Sequence, residues 1–225
     1  MLVCHYDHIE LECHCHTCNS SVELHPSSAV LQTGMYGVVT LQSYMCSNCD
    51  TSLDLALKIT ANKTRSDSER NEHELGMWSR LLHIPGIVPL LSSKTVGEYW
   101  LFIMPKMKPL ASLMSTTLTL ALKLRIIRRL CDILSAISSM GLVYPDGGCK
   151  QLLMKDNDVY LCDFGAVQEG GEAQSIESLR IVIWELRVMF KGNAEKLKTL
   201  EELCHTSGVT FACIREEISR LAGNY

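Results

Sequence analysis

A chain of 225 residues, 47% of them apolar, can bury one sizeable core or one core with a small appendage. Its net charge of −4 argues against bulk binding of nucleic acid. The longest apolar run, 118–137, is broken by Lys123, Arg125, Arg128, Arg129 and Asp132 and so excludes a membrane span. The N-terminus lacks the basic start and apolar stretch of a secretory signal. Six of the 11 cysteines lie in the first 49 residues. Without such a signal the expected compartment is intracellular, cytoplasmic or nuclear, and clustered cysteines there mean metal more often than disulfides.

Residues 1–28 are rich in Cys and His and carry no helical period. Residues 29–60 read as strand, turn, strand, loop, strand, with Gly34-Met35-Tyr36-Gly37 at the first turn and Leu53 to Ile59 alternating as a half-buried strand does. Residues 61–69 are polar and read as a loop. A helix follows over 70–82, closed by Pro85-Gly86. Ile87–Leu91 and Tyr99–Met104 read as two further strands. Over 118–139, Leu120, Leu124, Ile127, Cys131 and Leu134 form one apolar stripe with a second beside it, the pattern of a deeply packed helix, with Gly141 as its cap. Leu152 to Leu161 reads as a hairpin turning at Asp156-Asn157-Asp158. Ser178–Phe190 reads as an apolar helix, and 194–222 as helical with a break near Gly208. Strands first and helices second predict an α+β protein with two lobes.

The most informative run is Leu161-Cys162-Asp163-Phe164-Gly165, because of what precedes it in order: Gly34 and Gly37, Leu55-Ala56-Leu57-Lys58, a helix glutamate, and Tyr144-Pro145-Asp146. In this order the chain resembles the eukaryotic-type protein kinases, over roughly residues 29–190. The resemblance implies a bilobal fold, with 29–107 as a β-rich N-lobe and 108–225 as a reduced helical C-lobe. It implies ATP and Mg²⁺ as cofactors and phosphate transfer to Ser or Thr of a protein substrate. Gly34 and Gly37 would then cover the phosphates and Lys58 would hold them, paired with Glu74, or with Glu72. Val39, Ala56 and Leu153 would sandwich adenine, Met104 would gate the pocket behind it, and Pro105 and Met107 would form the hinge. Asp146 would be the catalytic carboxylate, and Asp163 and Gln151 the metal ligands. Phe164 would pack on the helix carrying Glu74. The Pro105-Lys106 hinge is similar to those of herpesvirus Ser/Thr kinases, which implies a viral protein acting in a host cell.

The chain also departs from that family. Tyr144-Pro145 stands where His-Arg is usual, Gly148 where a lysine is usual (with Lys150 two places on), and Gln151 where asparagine is usual. Ser175 stands at the position of the aspartate that braces the catalytic loop. No Ala-Pro-Glu triplet follows Gly165. These departures support an alternative, a pseudokinase that binds a regulatory protein partner without efficient transfer.

Cys15-His-Thr-Cys18 and Cys46-Ser-Asn-Cys49 are two Cys-x2-Cys pairs with 27 residues between them. Four thiolates so spaced suit a tetrahedral structural zinc site, with Cys4, Cys13, His14 and His16 as spare ligands. Residues 6–49 also resemble the zinc domain of small papillomavirus oncoproteins. That reading makes the N-terminal part a zinc-stabilised interaction module.

Overall fold

The computed structural model describes residues 11–14, 21–24, 30–33, 37–45, 48–49, 52–113, 116–190 and 194–223. The chain is a mixed α+β protein with a small antiparallel sheet and, among the described residues, five helices. It divides into two compact units, residues 1–73 with 89–106 and residues 74–88 with 107–225.

In the first unit, β1 (Leu11–His14) and β2 (Ser21–Leu24) pair as an antiparallel ribbon. The main sheet follows from β3 (Val30–Thr33), β4 (Gly37–Met45) and β5 (Ser52–Ala61), and after helix α1 (Arg65–Leu81) from β6 (Ser92–Val96) and β7 (Tyr99–Pro105), in the order β3-β4-β5-β7-β6. The period-2 alternation of β5 decides its two faces. Leu55, Leu57 and Ile59 point one way and join Leu101 and Ile103 in a buried cluster. Gly97, at φ 53°, supplies the positive φ that the two-residue turn between β6 and β7 needs.

Helix α1 starts at Arg65, inside the stretch whose polarity reads as a loop. The reason is a reciprocal cap. The Thr64 hydroxyl accepts from the Asp67 N–H at 3.1 Å, and the Asp67 carboxylate accepts from the Thr64 N–H at 3.1 Å, satisfying donors that a helix start leaves open. Asn71 then ties this first half of α1 to the sheet. It accepts from the Thr60 hydroxyl at 2.9 Å and donates to the Ala61 carbonyl at 2.9 Å.

The second unit contains the rest of α1, β8 (Lys108–Pro109), α2 (Leu120–Ser139), β9 (Leu142–Val143), β10 (Leu152–Lys155), β11 (Asp158–Leu161), β12 (Gln168–Glu169), α3 (Glu172–Val188), α4 (Ala194–Cys204) and α5 (Phe211–Ala222). Thr119 caps α2 by accepting from the Leu122 N–H, and Gly141, at φ 72°, follows its end. Both apolar stripes of α2 are buried, except for the half-buried Leu122 at the start of the second. The helix packs against α3 and α5, and α4 packs on α3. The β10–β11 hairpin turns on Asp156 and Asn157, at φ 53° and 62°, the two positive values of a type I′ turn. Lys123 is fully buried and donates from Nζ to the Phe190 carbonyl at 2.7 Å; burial lowers its pKa. Among the described residues no helix is long and apolar enough to cross a membrane.

Two other expectations need correction. Ile87 makes only an isolated bridge with Leu161, and the strand of this region is β6, beyond Ile87–Leu91. Helix α3 begins at Glu172, six residues before the apolar run, because the Gln174 side chain accepts from the Gly171 N–H at 2.9 Å and closes its first turn. Ser175 is therefore a buried residue within that first turn.

Candidate functional site

The residues singled out by sequence fall on both units. Gly37, Val39, Ala56, Lys58, Met104 and Pro105 belong to the first; Glu74, Met107, Asp146, Gln151, Leu153 and Asp163 belong to the second. Gly34, Cys15, Cys18 and Cys46 lie outside the described residues. Cys49 is described and is half-buried.

In the first unit the sheet register collects most of the candidates. Val39 stands opposite Lys58, and Lys58 opposite Phe102; Ala56 stands opposite Met104. Directly paired residues share a face, so Val39, Ala56, Lys58 and Met104 line the face away from the Leu57 cluster. The Lys58 ammonium lies 6.0 Å from the centroid of the Phe102 ring, a cation–π distance. Gly37 stands opposite Thr60 on this face. A Cβ at position 37 would run into the Ile59 carbonyl, so close strand approach alone requires glycine there. Pro105 stands opposite Leu55, on the other face. The chain leaves β7 with the Lys106 N–H donating to the Asp54 carbonyl at 2.9 Å and the Lys106 ammonium 2.9 Å from the Asp54 carboxylate.

In the second unit the loop 144–151 and the segment 162–165 are tied together. The Gln151 Nε2 donates to Asp146 Oδ2 at 2.7 Å. The Gln151 carbonyl accepts from the Cys162 N–H at 3.0 Å and from its thiol at 3.2 Å, and the Tyr144 hydroxyl donates to the Cys162 carbonyl at 2.8 Å. Gln151 is buried, and its Oε1 has no hydrogen-bond partner among the described residues. Lys150 Nζ lies 3.8 Å from Asp146 Oδ1, with both side chains well exposed, so that pair adds little.

Asp163 has φ 67°. Asp156 and Asn157, the other described non-glycine residues at positive φ, make a hairpin turn. Asp163 makes none, and a residue held in this region without a turn to form marks a site whose surroundings impose it. Phe164 is fully buried, 5.5 Å from the Trp78 ring of α1 and 6.2 Å from the Tyr144 ring. Trp78 is fixed by donating to the Val88 carbonyl at 2.8 Å. Glu74 is buried, and a Cβ at Gly165 would sit 3.6 Å from its Oε2. Glu72 is exposed and accepts from the Ser68 hydroxyl instead. Burial first, then the neighbouring Cys162, Asp163, Asp146 and Glu74, raise the Tyr144 pKa well above its usual value. Tyr144 is thus a fixed neutral donor, and three carboxylates lie near enough to act on it.

Helix α3 braces this loop through residues that the sequence pattern does not mark. The Ser178 hydroxyl donates to the Tyr144 carbonyl at 2.6 Å. The Glu185 carboxylate accepts from the Cys149 N–H, at the start of the 3-10 turn Cys149–Gln151. Gly147 lies hard against the Ser178 backbone. Ser175, at the position where the family resemblance puts a bracing aspartate, is buried with its hydroxyl unpartnered among the described residues. Met107 is buried just ahead of β8, and Leu153 is half-buried opposite Pro109 and Tyr160.

Among the described residues no three His, Cys, Asp or Glu side chains converge as a ready metal cage. No protein-family model matches the chain, and no curated protein does.

Proposed function

We propose that the chain is a divergent protein of the protein-kinase type that binds ATP with Mg²⁺ and transfers phosphate to Ser or Thr of a protein substrate. The observation that carries this reading is the buried, unpartnered Gln151 Oε1, whose own amide nitrogen holds Asp146. A buried oxygen left without a donor fits a cation. Mg²⁺ takes one or two carboxylates and completes its shell with phosphate oxygens and waters, so the lack of a three-carboxylate cage is no obstacle. When bound, the ion neutralises charge on the phosphates. Asp163 and Gln151 Oε1 would be its protein ligands in this reading, and Lys58 would hold phosphate. The amide of Gln151 occupies Asp146 Oδ2 and leaves Oδ1 to orient the substrate hydroxyl and accept its proton.

A second reading, a pseudokinase acting as a regulatory binding protein, is favoured by the segment after Gly165. Six residues, 166–171, separate it from α3, and Gln168–Glu169 are paired with β9. Little chain is left there to seat a peptide. The test is a thermal-shift titration with ATP and Mg²⁺, followed by radiolabelled transfer to a generic protein substrate, with Lys58→Met and Asp163→Asn as controls. Stabilisation and transfer in the wild type, both lost in the variants, are the expected result. Stabilisation without transfer selects the pseudokinase, and neither effect overturns both readings. We further propose structural zinc on Cys15, Cys18, Cys46 and Cys49. Metal analysis of the purified chain should find bound zinc, reduced in Cys46→Ser, and a metal-free wild type overturns it.

A further inference from the structure

We infer that the groove between the start of α2 and the end of α5 is a docking site for an acidic amphipathic helix of a partner protein. The groove encloses about 570 Å³, within the roughly 300–1,000 Å³ of ordinary ligand sites. Its apolar wall is formed by Leu118, Leu120 and Leu124 with Ile218, and its charged side by Arg125 and Arg128; among the described residues no carboxylate lines it.

The charge distribution sets these two arginines apart. Of the chain's ten arginines, seven are ion-paired: Arg65 with Glu69, Arg70 with Asp67, Arg129 with Asp158, Arg180 with Glu177, Arg187 with Glu201, Arg215 with Asp132 and Arg220 with Glu217. Arg125 and Arg128 are two of the three with no ion pair among the described residues, and both line the groove. Both are exposed on α2, three residues apart, which puts them side by side about one turn apart.

This spacing selects the occupant. Two cationic groups one turn apart match two carboxylates one turn apart on a facing helix better than the single head group of a small amphiphile. The leucine wall between two helices suits a third helix that buries leucines at i, i+4 and i+7. The inference does not depend on nucleotide chemistry.

The test uses the full chain and a fluorescein-labelled synthetic 16-residue helical peptide, with leucines on one face and two glutamates four residues apart beside them. Fluorescence anisotropy should show saturable binding, about micromolar. Arg125→Glu with Arg128→Glu should weaken it about tenfold or more, and Arg80→Glu should leave it unchanged. Both groove arginines are exposed, and equal thermal midpoints will show that the reversed variant is folded. A peptide with lysines for the two glutamates should bind the reversed variant better than the wild type. Absence of saturable binding overturns the proposal, as does binding indifferent to the arginine reversal. Saturable dodecanoate binding in place of peptide binding also overturns it, in favour of a small amphiphile.

Discussion

Gly147 and Gly148 are adjacent and look alike in the sequence, yet their surroundings differ. A Cβ at 147 would meet the Ser178 carbonyl oxygen and Cα, both main chain and unable to move without shifting α3. A Cβ at 148 would meet side-chain oxygens rather than main chain, Gln151 Oε1 at 3.2 Å and the Glu185 carboxylate at 3.6 Å, and the φ of 165° at this position is extended backbone open to any residue. Gly147→Ala should therefore lower stability by about 1–3 kcal/mol and loosen the loop that carries Asp146, while Gly148→Ala changes little. Urea unfolding of the two variants checks this; equal midpoints would refute a packing role for Gly147. The same loop shows why the site was only partly legible. Asp146, Gln151 and Asp163 stand out by residue type and order. Ser178 and Glu185 do not, because their contacts depend on where α3 begins, and the apolar run alone puts that start six residues late.

At the scale of elements, local signals with their own chemistry were readable and long-range ones were not. The β10–β11 hairpin follows from Asp156-Asn157, and the end of α2 from Gly141. The start of α1 was missed because Thr64-Arg65-Ser66-Asp67 reads as polar loop when composition is weighed ahead of spacing. Threonine with a carboxylate three residues on is a helix start. The Asp67 carboxyl is held below its usual pKa first by the Thr64 hydroxyl, then by Arg70, so the cap accepts with a charged group at neutral pH. Thr64→Ala should cost about 0.5–2 kcal/mol. Hydrogen exchange should locate the loss in the first turn of α1, leaving the Trp78 end protected. Uniform loss along α1 would mean that the cap is not local. The extra strand at Ile87–Leu91 was expected because a five-residue apolar run is equally consistent with buried coil. Ile84, Ile87 and Val88 are buried, but the backbone finds only an isolated bridge.

For the whole molecule, the buried ionisable groups predict how the fold fails in alkali. Burial pushes Cys131 and Cys204 up to about 12 from 9.0. It raises Cys149 further, with Glu185 adding to the effect, and holds Tyr144 well above 10.0. A thiol that ionises near 9 when unfolded and resists ionisation when folded has no effect on stability below that pH. Above it the unfolded state releases a proton that the native state keeps, and stability falls by about 1.4 kcal/mol per pH unit for each such group. Lys123 acts in the opposite direction. Burial lowers its pKa from 10.5, so the native state sheds its proton first, and stability rises between that lowered value and 10.5. Three thiols and a phenol outweigh one lysine. All five groups belong to the second unit, so the loss should centre there. Urea midpoints under reducing conditions should hold steady from about pH 7 to 8.5 and fall steeply above 9. Cys204→Ala should make that fall shallower by one group's share, and Lys123→Met should make it steeper, because the compensating lysine is gone. A midpoint that rises between pH 9 and 10 would mean that these thiols are not buried in the native protein.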